Sequence, residues 1–339
     1  MSEVALTAPR VAVIVPAYGV AHLLGEALAS LQAQTMPDWE CVVIDDGAPD
    51  DVTGAVAPFL ADPRIRFLTT ANHGVSTARN TAIAATTAPL LALLDGDDLL
   101  RPEYLASTVP LLESDPAIRL VTINARIFGA VTRERLCFTK QQGSSDGVRG
   151  SLADVLDRSF GVYIGSTFCR ADFDAIGGFD TKMAQSEDFD LWVRLMQLGG
   201  YAWYVDAVLG EYRVRANSAS ASSARLVMGN IRTYEKARSA LAPDAPEQPL
   251  LARLIAESQD ALDFEHAIDR VVDGDTAGGL TELRRLRRQV DGSVWALSFA
   301  LWRIAPATAR PMLAWRRRAH SRGGTADGVA SLFGPGAGL

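Results

Sequence analysis

Short apolar runs and helical stripes alternate along the first hundred residues. Val11 to Val15 is apolar throughout and stops at Pro16, the pattern of a buried strand. Leu24, Ala27, Leu28 and Leu31 recur at helical spacing between Leu23 and Gln34, and Pro37 follows as a breaker. Cys41 to Ile44 predicts a second buried strand, closed by the turn composition Asp45-Asp46-Gly47. A helix over Val52 to Leu60 and a strand over Ile65 to Leu68 come next. An Ala-rich helix from Ser76 to Ala85, with Ser76 as N-cap, then leads to a strand over Leu90 to Leu94. That strand runs into Asp95-Gly96-Asp97-Asp98. This alternation predicts βαβ units: an α/β fold with a mixed, mostly parallel sheet flanked by helices. Ligands of such sheets bind beyond the carboxyl ends of the strands, where both acidic clusters fall.

The pattern loosens in the middle. Strands are predicted over Leu120 to Phe128, Tyr163 to Arg170, Trp203 to Val208 and Gly210 to Val214. A helix is predicted over Ser186 to Leu198, ended by Gly199-Gly200. Trp39, Trp192 and Trp203 read as core residues. The polar stretches KQQGSSDGVRG (140–150) and RANSASASS (215–223) read as flexible. From Ala224 the chain is helical, interrupted once by Pro243, Pro246 and Pro249, and the Gly-rich stretch 323–339 reads as a disordered tail.

The 339 residues are 48 % hydrophobic and 22 % charged, so the chain has the composition of a globular protein with a large core. A net charge of −7 argues against nucleic-acid binding. The charge is uneven, however. Ten arginines between Leu283 and Arg322 oppose one acid, Asp291, a local +9 that leaves −16 elsewhere. Cys41, Cys137 and Cys169 are too few and too far apart for a disulfide framework or a zinc site, and they suit a reducing cytosol. The first residues lack the build of a signal peptide. No apolar stretch reaches the ~20 residues of a membrane span. These features predict a cytoplasmic protein.

The acidic clusters carry the candidate chemistry. Asp95 and Asp97, two apart, can converge on one hard cation that leaves positions for phosphate oxygens; a plain turn explains the same residues. Asp46 can accept from a base N–H or a sugar hydroxyl, and a turn again accounts for it. Glu187-Asp188 opens a helix, where acids complement the dipole, or supplies a general base for an acceptor hydroxyl. Arg79, early in its helix, can reach a diphosphate with its planar fork or lie solvated on the surface. His73 reads as a loop residue.

The order of the motifs is more specific than any one of them. VAVIVPAYG (11–19), VVIDDGAPDD (42–51), NHGVSTARNTAIA (72–84), LLALLDGDD (90–98), IGGFD (176–180), SEDFDLWVRL (186–195) and YRVRANSAS (212–220) occur in sequence. Over about residues 10 to 222 the chain resembles family 2 glycosyltransferases of the GT-A fold. The resemblance implies a catalytic domain over 1–222, a helical, basic extension over 223–322 and the tail. It implies a nucleotide-sugar donor, a divalent metal (Mn²⁺ or Mg²⁺) as cofactor and inversion at the anomeric carbon. Pro16, Ala17 and Tyr18 would line the nucleoside pocket, and Asp46 would hold the base, with uracil or thymine N3–H favouring UDP or dTDP. Arg79 would approach the nucleotide. Asp95 and Asp97 would form the D-x-D element, with Asp97 the direct metal ligand and Asp98 beside it. Asp188 would be the catalytic base, supported by Glu187. Tyr212-Arg213 would open a segment closing over the donor. Many relatives have a metal-binding histidine just after this pair; here Val214-Arg215-Ala216 stands instead, and Arg215 can contact a diphosphate but not ligate a cation.

The implied acceptor is a saccharide or a polyprenyl-linked saccharide in cell-surface polysaccharide synthesis. The stretch 295–322, with Trp295, Leu297, Phe299, Leu301, Trp302 and Ile304 before Arg316-Arg317-Arg318, reads either as an interfacial segment on an anionic inner-membrane surface or as a packed helix with a solvated charge run. Pro306 and Pro311 break its amphipathic pattern. Two other functions compete. A sugar nucleotidyltransferase predicts a glycine-rich basic loop where PAYGVAHLL stands. A non-catalytic binding or assembly protein would not require Asp46, Asp95, Asp97 and Asp188, all of which are present.

Overall fold

The computed structural model of the protein describes residues 8–138, 141, 148–215, 223–289 and 293–320. The expected tail at 323–339, most of the loop at 140–150 and most of the segment at 215–223 lie outside these residues. The chain divides into two compact units. One comprises Met1–Phe128, Arg135–Val155 and Phe160–Arg213; the other comprises Gly129–Glu134, Leu156–Ser159 and Val214–Leu339.

The first unit follows the alternation of its sequence. In order come β1 (Val11–Ala17), α1 (Ala21–Gln32), β2 (Trp39–Asp45), α2 (Val52–Val56), β3 (Ile65–Thr69), α3 (Val75–Ala84), β4 (Leu90–Leu93), β5 (Leu99–Leu100), α4 (Tyr104–Ser114), β6 (Ile118–Gly129) and β7 (Arg135–Leu136). Then follow β8 (Arg149–Gly150), α5 (Leu152–Leu156), β9 (Thr167–Cys169), α6 (Arg170–Ala175), α7 (Glu187–Met196) and β10 (Tyr201–Val214). The sheet order is β3-β2-β1-β4-β9-β6-β10-β5, with β7 on β6 and β8 on β10. β3, β2, β1 and β4 pair in parallel; β9 pairs antiparallel with both β4 and β6, and β5 and β8 pair antiparallel with β10. A fully apolar run such as Val11–Val15 suits β1, which is covered on both faces and paired on both edges.

Pro16 does not end β1 as the sequence suggests. Ile14 O accepts from Leu94 N, so Pro16, of the same parity, turns its backbone toward a β4 that has already stopped. Its missing N–H therefore costs no ladder bond. Other expectations need correction. Ser76 lies inside α3, which Gly74 precedes at φ 86°. The strand expected over Tyr163–Arg170 shrinks to β9, because Arg170 starts a helix. The two strands expected over 203–214 are one, β10. Trp39 and Trp192 are core residues, but Trp203 is half-buried, with the Arg149 guanidinium 5.6 Å from its ring centre. Gln141, expected in a mobile loop, is buried and exchanges two hydrogen bonds with the Gly161 backbone.

The second unit is helical: α8 (Ser223–Ala240), α9 (Gln248–Asp273), α10 (Thr276–Arg285), α11 (Ser293–Ile304) and α12 (Ala309–His320). Gly274 ends α9 at φ 115°, and the Asp275 carboxylate caps α10 by accepting from Gly278 N. Phe264, Ile268, Val271, Leu283, Trp302 and Leu313 form its core, with Trp295 and Phe299 packed against them. These aromatics are thus not free to enter a headgroup layer, as the sequence alone allows. Among the described residues no helix is long and apolar enough to cross a membrane.

Glu40 ties the parallel strands together at the edge opposite the acidic clusters. Its Oε1 accepts from Thr87 N at 2.7 Å and Ala88 N at 2.8 Å, just before β4, and its Oε2 pairs with Arg66 of β3. Glu40→Ala leaves both amides without that acceptor, so unfolding in denaturant should show a loss of about 2–3 kcal/mol. A loss below about 0.5 kcal/mol would mean that water replaces the carboxylate there.

Candidate active site

Parallel register brings four acidic or polar turns to one edge of the first unit. Ala17 pairs with Asp45 and Asp45 with Thr69, so β1, β2 and β3 end level with one another, while β4 stops opposite Ile14, short of the end of β1 on the same side. At or just beyond those ends lie Pro16-Ala17-Tyr18, Asp45-Asp46, the turn before α3, and Asp95–Asp98. Gly96 explains how the last turn fits. A Cβ there would stand 2.9 Å from Val20 Cγ2 and 3.1 Å from Pro16 O, so only glycine allows the turn to press on the β1–α1 junction.

Arg79 is the centre of the arrangement. It projects from α3 with only 2 % of its surface exposed. Its Nη2 donates to Asp95 Oδ1 and its Nη1 to Glu187 Oε1, each at 2.8 Å. Burial by itself lowers the pKa of a guanidinium; the charges of Asp95 and Glu187 outweigh that and hold Arg79 cationic. The Phe179 ring lies 5.4 Å from the guanidinium. The adjacent Asn80 accepts from Phe179 N and donates to Phe179 O, both at 2.9 Å, which locks the ARN motif to the IGGFD motif. One buried cation therefore joins a carboxylate after β4 to a carboxylate at the start of α7.

The other expected residues are placed as follows. Ala17 is buried, Pro16 half-buried and Tyr18 51 % exposed. Asp46 is buried and accepts from His73 N at 3.1 Å and Gly74 N at 3.0 Å, closing the turn before α3. A carboxylate has about four lone-pair positions, so a further donor can still be accepted. Asp188 is half-buried; its Oδ1 accepts from Phe189 N, and Ser186 before the pair holds the left-handed φ of 57° without a side-chain cap. Asp98 is enclosed and accepts from Arg213 N at 2.8 Å and Tyr163 Oη at 3.0 Å. Burial, with Asp95 beside it, pushes its carboxyl well above the usual range. Arg213 donates to Asp97 O at 2.9 Å and Glu26 Oε2 at 2.8 Å, and its guanidinium lies 4.5 Å from the Phe128 ring centre. Arg215 belongs to the second unit, and the closing segment expected after Tyr212-Arg213 falls largely outside the described residues.

The oxygen donors Asp95 and Asp97 fit a hard divalent cation that draws its remaining ligands from phosphate. Asp95 keeps 29 % of its side chain exposed and one oxygen clear of Arg79; Asp97 is half-buried. Among the described residues no three His, Cys, Asp or Glu side chains are grouped to hold a metal. Two-carboxylate ligation completed by substrate is therefore the arrangement these residues fit.

Sequence reasoning passed over two positioning residues. Asp50 accepts from Gly19 N at 3.0 Å and Ala21 N at 2.6 Å, holding the turn that presents Tyr18 and capping α1 in place of Val20. Tyr163 anchors Asp98. Asp50 had a visible signal in its acidic run; Tyr163 had none.

Arg79→Lys keeps the charge but loses the fork that reaches two carboxylates. Denaturant unfolding should show a loss of about 1–3 kcal/mol. A change under about 0.5 kcal/mol would mean that the bridge does not hold the two turns.

Residues 12–164 match the sequence profile of Glycosyl transferase family 2. EpsJ of Bacillus subtilis, an uncharacterized glycosyltransferase, is 42 % identical over 92 residues, 26 % of this chain and 26 % of EpsJ. WfgD of Escherichia coli, a UDP-Glc:alpha-D-GlcNAc-diphosphoundecaprenol beta-1,3-glucosyltransferase, is 24 % identical over 62 % of this chain and 80 % of its own length. Among solved structures, S. aureus TarS 1-349 with UDP-GlcNAc superposes with a TM-score of 0.62 at 16 % identity, over 92 % of this chain and 90 % of that one. The mannosyltransferase PcManGT of Pyrobaculum calidifontis, with GDP-Man and Mn²⁺, gives 0.60 at 21 % identity over 93 % and 86 %. The first curated relatives are matched over only about a quarter of their own length. The fold is GT-A, and residues 12–164 carry the sequence pattern of glycosyl transferase family 2.

Proposed function

We propose that this protein is an inverting glycosyltransferase that moves a sugar from a nucleotide-sugar donor to a hydroxyl of a saccharide or lipid-linked saccharide. The observation that carries this reading is the Asp95–Arg79–Glu187 bridge. It holds the acidic turn at the strand ends beside the Glu187-Asp188 pair, so donor-side and acceptor-side carboxylates share one rigid frame. Proximity of this kind is what a single displacement between two bound substrates requires. Pro16, Ala17, Tyr18 and Asp46 line the edge where a nucleoside would sit. The names of two related proteins support the substrate class: WfgD uses UDP-Glc and a diphosphoundecaprenol-linked acceptor, and TarS 1-349 binds UDP-GlcNAc. The GDP-Man complex of PcManGT means that the fold alone does not choose the base; Asp46 as acceptor for N3–H favours UDP or dTDP.

Asp188 takes the proton of the acceptor hydroxyl. The freed oxygen forms a bond to the anomeric carbon from the face opposite the leaving group, and the bond to the nucleoside diphosphate breaks with inversion. Asp95 and Asp97 would hold a divalent cation, which supplies Lewis-acid stabilisation to the diphosphate when bound. Glu187, fixed by Arg79, sets the start of α7 and so the position of Asp188. Arg79, held cationic, also fixes the Asp95 carboxylate by its hydrogen bond near that diphosphate.

Calorimetric titration of UDP, dTDP, GDP and CDP, each with Mn²⁺, Mg²⁺ or EDTA, tests the donor site. One nucleotide should bind, more tightly with metal; binding of none would favour a non-catalytic protein of this fold. Asp188→Asn should lower transfer by about 10²–10⁴-fold and leave nucleotide affinity within about twofold. Equal losses in both would remove Asp188 from the chemistry.

A further inference from the structure

Helix α11 is apolar around most of its circumference, with Arg303 its one charged residue. One side carries Trp295, Phe299 and Trp302; Trp302 meets both other rings edge-on, and Trp295 meets Phe264 edge-on in the helical core. A second stripe carries Val294, Leu297, Leu301 and Ile304, which are 73, 70, 41 and 87 % exposed. Their spacing of three and four residues keeps them within an arc of about 80°. On α12, Met312 and Trp315 add exposed apolar surface of the same spacing. A helix that is apolar on all sides is ordinarily covered.

Arginines bracket the stripe. Arg287 and Arg288 lie just before α11 in the chain and Arg303 stands beside Ile304; all three are exposed, and none has an acid partner among the described residues. Other arginines of this region are already engaged, Arg285 with Glu282 and Asp263, Arg316 with Glu265, Arg317 with Asp269.

We propose that the Val294–Leu297–Leu301–Ile304 stripe docks on an anionic bilayer surface, with α11 lying in the plane of the interface and Arg287, Arg288 and Arg303 meeting lipid phosphates. Charge selects this occupant over a second copy of the chain. A two-fold pairing sets the patch against itself. Whether the paired helices run parallel or antiparallel, the arginines of one copy face those of the other, and like charges oppose the contact. Anionic headgroups turn the same charges into attraction. Twelve residues of helix span about 18 Å, too short for a hydrocarbon core of about 30 Å and suited to an interfacial position. The rest of the chain, at −16 outside 283–322, is repelled by an anionic surface, so contact is confined to this face. The inference is independent of the proposed chemistry.

The test is co-sedimentation of the full chain with vesicles of phosphatidylglycerol and phosphatidylcholine, and with vesicles of phosphatidylcholine alone, at about 0.1 M salt. The wild-type chain should partition at least about tenfold more onto the anionic vesicles. The double variant L297E/I304E should lose about tenfold of that binding with an unchanged melting temperature, since both positions are exposed. Arg287→Glu with Arg288→Glu leaves the stripe intact and should weaken only the anionic binding, which keeps the test decisive if the first variant misfolds. Wild-type recovery that is equal with and without vesicles overturns the proposal, as does a folded L297E/I304E that binds like wild type. Sedimentation velocity without lipid separates the remaining occupant: a wild-type dimer that L297E/I304E dissolves, together with no vesicle binding, would assign the stripe to self-association.

Discussion

Burying a guanidinium is costly unless its charge is answered, and the first unit is arranged around one such burial. Arg79 reaches Asp95, 16 residues away, and Glu187, 108 residues away, with bonds of equal length. Neither carboxylate could approach the other without the cation between them. The Asn80–Phe179 pair and the Phe179 ring fix the direction from which Arg79 arrives. The consequence is that the turn after β4 and the start of α7 behave as one piece. Anything bound across them meets a preset spacing of charges, the arrangement that electrostatic catalysis needs. Arg79 Nε finds no acceptor, so the bridge rests on the two terminal nitrogens.

A second constraint joins the parallel and antiparallel halves of the sheet. Asp98 follows β4 yet accepts from Arg213 near the end of β10 and from Tyr163 just before β9. Its enclosure takes it away from the solvent-facing edge that Asp95 and Asp97 keep. Three adjacent carboxylates thus divide their work: one is held by Arg79, one faces outward, one is sealed under Tyr163. Arg213, which a motif reading places over a donor, is already bound to Asp97 O, Glu26 and the face of Phe128. The acidic turn is held from below by glycine packing and from the side by this arginine.

Much of the parallel half was legible because its signals are local. The apolar runs of β1, β2 and β4 are close to their observed spans, and α1 keeps the buried stripe Leu24, Ala27, Leu28 and Leu31. Errors cluster where local pattern and tertiary placement disagree. Pro16 reads as a stop, but parity turns its missing donor toward an absent strand. Ser76 reads as a cap, but α3 begins one residue earlier and buries it. Tyr163–Arg170 is apolar enough for a strand, yet Tyr163 is spent on Asp98 and Arg170 opens a helix. For Trp295 and Trp302 the sequence allows either an interfacial segment or a packed helix; the helical core claims them, and the exposed stripe passes to the aliphatic residues of the same helix.

The amino-acid sequence by itself determined the order of strands and helices in the first unit, the acidic turns at the strand ends and the family to which they point. These follow from short-range periodicity, turn chemistry and motif order, all of which are written in consecutive residues. Only the tertiary structure decided which charges meet. From the residues alone Arg79 reads as solvated, and by the resemblance as a nucleotide contact; packing of α3 under Phe179 made it the buried link between Asp95 and Glu187. Packing likewise decided which side of α11 is core and which is surface, because a helix apolar on all sides carries no local signal of its own orientation. Partners remote in sequence are chosen by the free energy of burying and pairing them, and that term exists only once the chain has folded.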